Sequence, residues 1–172
     1  MAPQFRLAAG HAHSHGACDM PFQTPTAQPN LPNAAAQALR AEAFTGLWGV
    51  RRRLVDHLSH EHLTFVGQAR IEADVMTETG ELLTPRGHME TKRLYRLSMD
   101  REGVDVRFAS GADFIRLGLA PDQRVVHLCG DDLYEGRFLF RSRDCWMEFW
   151  RVAGPRKRYA SLTRYEWISA SP

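Results

Sequence analysis

The chain has 172 residues, 44% hydrophobic and 24% charged, which is enough apolar material for one domain with a sizeable core. A formal charge of only +2, with short basic clusters (Arg51 to Arg53, Arg156 to Arg158) separated by acidic residues, excludes the long basic stripe that tracks nucleic acid. No apolar run approaches the roughly 18 residues that cross a bilayer as a helix, and the start lacks the features of a secretory signal.

A cytoplasmic protein with neither a membrane nor a nucleic-acid partner is therefore expected. The three cysteines, Cys18, Cys129 and Cys145, match no disulfide framework and read as thiols in a reducing compartment.

Residues 1–32 hold Pro3, Pro21, Pro25, Pro29 and Pro32 among small and polar residues. Such a stretch cannot offset the entropy of ordering, so a flexible tail is expected. Its alternating His11, His13 and His15, with Cys18, lack the fixed geometry of a metal site, and no metal is assigned there. Asn33 then stands as an N-cap before a run of Ala, Gln, Leu, Arg and Glu, which predicts a short helix over 33–43.

From Phe44 the pattern changes to short runs rich in Val, Ile, Phe, Tyr and Trp, separated by turn residues. Strands are predicted at 47–55, 63–73, 75–84, 88–99, 104–109, 114–119, 124–129, 133–141, 145–152 and 158–168. Turns such as Thr84-Pro85-Arg86-Gly87 and Ala120-Pro121-Asp122-Gln123 supply preset or permissive backbone angles. Consecutive hairpins without crossover helices predict an all-β domain over 44–169. The expected fold is an antiparallel up-and-down barrel of about 8–10 strands, closed so that no edge is exposed, with the one short N-terminal helix outside it.

Two resemblances follow. Phe44-Thr45-Gly46-Leu47-Trp48 resembles the entry motif of the lipocalins and the wider calycin superfamily of ligand-binding barrels. That resemblance implies a Trp48 packed at the closed barrel end under a basic residue from late in the chain, with Arg164 as its counterpart. The pattern Phe44, Gly46, Trp48, then Trp150, Val152, Gly154, Pro155, Lys157 and Tyr159, is similar to a family of small bacterial proteins of unknown function. His127, Cys129, Asp131 and Tyr134 resemble its middle segment. The resemblance implies a fold and a residue set, and no reaction.

Strand alternation sorts the candidate site residues. In the first strand Trp48, Val50, Arg52 and Leu54 share the inner face, so Arg52 needs a carboxylate, an aromatic face or an anionic ligand. In the fourth, Met89, Thr91, Arg93, Tyr95, Leu97 and Met99 turn inward, with Glu148 a candidate partner for Arg93. His127 and Cys129 share a face about 6–7 Å apart, too far for a thiolate–imidazole pair. His127 as a general acid or base, with Asp131, Asp132 or Glu148 beside it, stays open, as does a hydrogen bond to Tyr134.

Trp146, Glu148, Trp150 and Val152 are placed inside, which leaves Met147 and Phe149 on an outer face for the N-terminal helix or the second subunit of a homodimer. Lys157 and Tyr159 reach toward the barrel mouth. His57, His60 and His62 sit in the first hairpin connection as exposed loop histidines. No phosphate loop, nucleophile elbow or Cys-x-x-Cys pair is present.

The leading expectation is a barrel binding a small amphipathic or anionic organic molecule, with no cofactor. Its walls are Tyr95, Tyr134 and Trp150. Its polar contacts are Arg52, Arg93 and His127, with Cys129, Glu148, Lys157 and Tyr159 nearby. Two alternatives use the same pocket: acid–base catalysis by His127 with Asp132 or Glu148, and haem held by His127 as in the nitrobindins.

Overall fold

A computed structural model describes residues 44–169, and the predicted tail and helix lie outside them. Ten antiparallel strands fill the described chain: β1 (Gly46–Asp56), β2 (Glu61–Glu72), β3 (Val75–Thr84), β4 (Gly87–Met99), β5 (Val104–Phe108), β6 (Asp113–Leu117), β7 (Asp122–Cys129), β8 (Asp132–Ser142), β9 (Cys145–Ala153) and β10 (Arg158–Ser169). All ten predicted strands are present, with shifts of a few residues at their ends. β7 begins at Asp122, where a turn was expected, because Asp122 is held at 2.9 Å by Arg137 on the neighbouring strand.

The sheet runs β6-β5-β4-β3-β2-β1-β10-β9-β8-β7. β1 pairs with β10, so the two ends of the described chain meet within the sheet. The expected full closure is not reached, because no backbone ladder joins β6 to β7 and the barrel is nearly closed. Along this seam the Gln123 side chain stands in for a ladder, accepting from Gly118 N at 2.6 Å and donating to Gly118 O at 2.8 Å.

Alternation puts one face of each strand inside, and the inner side chains form three levels. At the level where β1 starts, Trp48, Ile71, Phe140, Trp146 and Tyr165 make an apolar floor. Trp146 and Tyr165 stack with centroids 3.6 Å apart and planes 4° off parallel. Phe44 closes this end, its ring 5.5 Å from Phe140 and its carbonyl accepting from Trp48 Nε1 at 2.9 Å. Gly46 between them has φ +143, and a Cβ there would meet the Trp167 ring at 2.5 Å, so glycine alone fits.

The Phe-x-Gly-x-Trp motif is thus a lid on the closed end. Arg164 does not take the position that the lipocalin likeness implied. It lies on the outer parity of β10 and bonds Glu166 at 2.7 Å, while Trp167 packs on Trp48 instead at 5.1 Å. Arg164's neighbours Thr163 and Tyr165 are buried inside, and strand alternation sends the residue between them to the opposite face.

Candidate functional site

Above the apolar floor lies a buried charged level. Arg52 is 5% exposed and spends its guanidinium on protein partners. Its Nε donates to Thr163 Oγ1 at 2.7 Å, Nη1 and Nη2 clamp the Glu78 carboxylate at 2.7 and 2.8 Å, and Nη2 also reaches Glu148 Oε1 at 3.2 Å. The Tyr165 hydroxyl, which accepts from Arg52 at 3.3 Å, lies 3.2 Å from Glu78 and 3.3 Å from Glu148 and has one proton to give. Phe65 supports the cluster with its ring, 5.4 Å from the Arg52 guanidinium carbon.

Burial works against the charge on Glu78, but the hydrogen bonds and charge of Arg52, aided by Arg93 and Tyr165, outweigh it and hold the carboxyl below its ordinary value of 4.5. A group depressed in the fold stabilises it fully above the unfolded value, and that stability is lost as pH falls through the folded value. The melting temperature of the wild type is therefore expected to drop below about pH 4.5, and the less stable Glu78→Gln to show a shallower fall over the same range. Parallel acid profiles of the two proteins would disprove the assignment to Glu78. The same burial raises Tyr165 and Tyr95 and pushes Tyr159 up to about 12, so these three phenols are neutral donors at neutral pH.

The third level is aromatic and forms the mouth. A cavity of about 270 Å³ runs from the floor to this level. It brings together Arg52, Arg93, Tyr95, Tyr134, Glu148, Trp150 and Tyr159 from the sequence-derived candidates, and adds Phe108, Phe114, Phe138 and Ser161. Arg93 is 49% exposed on its side chain and lies 4.0 Å from Glu78, so its expected pairing with Glu148 is replaced by a longer contact with β3.

The other candidates stand beside the cavity. Asp132 and the Tyr134 hydroxyl both accept from Lys157 Nζ, at 2.8 and 3.0 Å, and this triad ties the β9–β10 turn to β8. Gly154 in that turn leaves the space which the Asp132 carboxylate fills. Cys129 is exposed at the end of β7 and does not line the cavity. His127 lies against the seam, its ring making edge contacts with Phe108, Phe114 and Tyr134 at 5.7, 5.1 and 6.0 Å.

Of the carboxylates considered as its partners, Asp132 is engaged by Lys157 and Glu148 by Arg52 and Tyr165. A haem on His127 would need an open face beside the ring; the ring is partly exposed, meets these three aromatic rings, and is not among the residues that line the cavity. Among the described residues, no group of three His, Cys, Asp or Glu side chains converges as a metal site, His57, His60 and His62 included. Met147 and Phe149 sit half-buried on the outer face, opposite Leu139 on β8 and Leu162 on β10 respectively.

The residues at the floor and at the mouth are those of the motif that opens at Phe44 and ends at Tyr159. A family model covering residues 44–167 matches this segment, described as a family of unknown function, DUF6314. The chain belongs to the DUF6314 family. That family match bears out the resemblance read from Phe-x-Gly-x-Trp and Trp-x-Val-x-Gly-Pro-x-Lys-x-Tyr, the first of which closes one barrel end while the second lies at the mouth.

Among solved structures, an S-type phycobiliprotein lyase from Guillardia theta is similar at 12% identity and a TM-score of 0.53, over 76% of this chain and 91% of the lyase. A de novo designed fluorescence-activating β-barrel aligns at 13% identity and a TM-score of 0.37, over 78% of this chain and 98% of the design. No curated protein matches the sequence. The lyase likeness extends to the fold.

Glu78 and Phe114 are site residues that the sequence reading missed. Glu78 shares its face of β3 with Met76 and Leu82, an alternation visible in Val75-Met76-Thr77-Glu78, and that parity is the signal that could have found it. Phe114 carries no such signal, because the register of β5 and β6 shifts between Val106 and Arg107.

Proposed function

We propose that this DUF6314 protein binds a small amphipathic organic molecule inside its barrel. The observation that carries the reading is the cavity of about 270 Å³, lined mostly by apolar and aromatic side chains together with a few polar ones, Arg93, Tyr95, Tyr159 and Ser161 among them. A volume at the lower end of the usual ligand range suits a compact molecule of one or two rings. With about 12 heavy atoms at roughly 0.5 kcal/mol each, the expected Kd is on the order of tens of micromolar. The shared fold of a phycobiliprotein lyase supports a reading in which the barrel interior handles an organic ligand.

Acid–base catalysis by His127 finds little support, since Asp132 is engaged by Lys157 and Glu148 by Arg52 and Tyr165. Native mass spectrometry of the purified protein, with titration against a panel of organic acids, lipids and pigments, tests the proposal. One bound molecule per chain, or saturable binding of a panel member, is expected. A chain that retains nothing and binds nothing from the panel overturns the reading.

A further inference from the structure

We infer that the Phe114 ring is a displaceable plug, standing where a planar aromatic ring of the ligand docks, and that the ligand carries a carboxylate met by Arg93. The inference rests on the ligand-binding reading above and narrows it to planar aromatic acids.

The register shift puts both Phe114 and Ile115 on the cavity side, since Val106 pairs with Ile115 and Arg107 with Asp113. A bulge of this kind re-aims a side chain. The Phe114 ring lies nearly parallel to Tyr95 on one side (5.9 Å, 13°) and to Trp150 on the other (5.3 Å, 21°). Tyr95 belongs to β4 and Trp150 to β9, five places apart in the sheet order, so a single ring spans the bore. Two aromatic faces held parallel with one planar group between them are a stacking slot.

What fills that slot is held on one side alone. β6 is a five-residue edge strand with its ladder to β5, and none to β7. Gly111, with φ +89 and open space around it, lies just before the strand. Phe114 can therefore leave by a local movement that breaks its two stacked contacts and its tilted or edge contacts with Phe108, His127 and Tyr134. The cost of that movement weakens the apparent affinity of any ligand which must displace it.

Arg93 supplies the charge. Its nearest carboxylate is Glu78 at 4.0 Å, whose oxygens already accept from Arg52 at 2.7 and 2.8 Å. Its fork keeps donors for another acceptor, two positions along the same strand face from Tyr95. A guanidinium so placed beside a stacking slot matches a carboxylate attached to a flat ring.

The experiment titrates the full chain with 2-naphthoate, with its neutral counterpart 2-naphthalenemethanol and with cyclohexanecarboxylate, following tryptophan quenching and heat. Phe114→Ala is expected to tighten both naphthyl probes about tenfold. Arg93→Gln is expected to weaken 2-naphthoate about tenfold while leaving the alcohol within about twofold. Phe114→Leu keeps the apolar bulk, guards against a folding defect in the alanine variant, and is expected to tighten the probes about threefold.

Unchanged or weaker naphthyl binding in both Phe114 variants overturns the plug, and equal losses of both naphthyl probes in Arg93→Gln overturn the carboxylate. Tight binding of cyclohexanecarboxylate or lipids without either naphthyl probe overturns this inference while leaving the broader ligand-binding reading standing.

Discussion

Arg52→Met is expected to lower the stability of the barrel by about 3–5 kcal/mol, because it strands two carboxylates in a space built around one guanidinium. Glu78 is 2% and Glu148 12% exposed on their side chains, so water replaces little of what Arg52 supplies, least of all at Glu78. For a chain of this length the loss corresponds to a fall in Tm of roughly 6–20 °C. The double variant Arg52→Met with Glu78→Met removes the clamp as a unit, and it should lose less than the sum of the two single changes. Denaturant unfolding of the three proteins checks this: strictly additive losses would show that Arg52 and Glu78 are energetically independent, contrary to the bidentate geometry.

The second large effect is expected from Gly67 and Gly80, which face each other across β2 and β3. A Cβ on Gly67 would meet Phe65 Cζ at 2.6 Å and Gly80 Cα at 2.7 Å, and one on Gly80 would meet Gly67 Cα at 2.5 Å. The obstacles include backbone atoms, which cannot rotate away. The bare pair lets the two strands approach and lets the Phe65 ring lie over them, beneath Arg52.

Gly80→Val should therefore cost about 3 kcal/mol, the upper end for overpacking. Gly49→Ala is the matched control on β1. Its Cβ would meet nothing closer than 3.6 Å, so the change should be neutral or stabilising by up to about 1 kcal/mol. Similar melting curves for Gly80→Val and Gly49→Ala would refute the close approach.

Legibility from the sequence followed the strictness of alternation. In β1, Trp48, Val50, Arg52 and Leu54 recur at period two, and the structure turns all four toward the cavity or core. In β4 the same holds for Arg93, Tyr95, Leu97 and Met99, whereas Met89, also expected inward, is 50% exposed near the start of the strand. β3 was harder, because glutamates occupy both parities and Gly80 interrupts the apolar face, so the carboxylate that secures Arg52 did not stand out.

Phe114 escaped for a different reason: a bulge inverts parity without any mark in composition. The seam escaped too, because Ala120-Pro121-Asp122-Gln123 reads as a hairpin turn, and a turn does not reveal that its flanking strands fail to pair. His127 and Cys129 are on the parity expected, but they belong to an edge strand beside the cavity.

The meeting of β1 with β10 bears on how the chain folds. Nine ladders hold the ten strands, and eight of them are hairpins between neighbours in the chain, whereas β1–β10 joins residues such as Arg52 and Thr163 that are 111 positions apart. Closing so long a loop before any contact rewards it is a slow step. A circular permutant opened at Ala120 and joined from Ser169 to Phe44 through a short linker, which keeps the Phe44 lid, would run as one meander from β7 through β10 to β1 and β6. Its pairings would all be local, so its refolding should outpace that of the natural order while the native barrel stays the same.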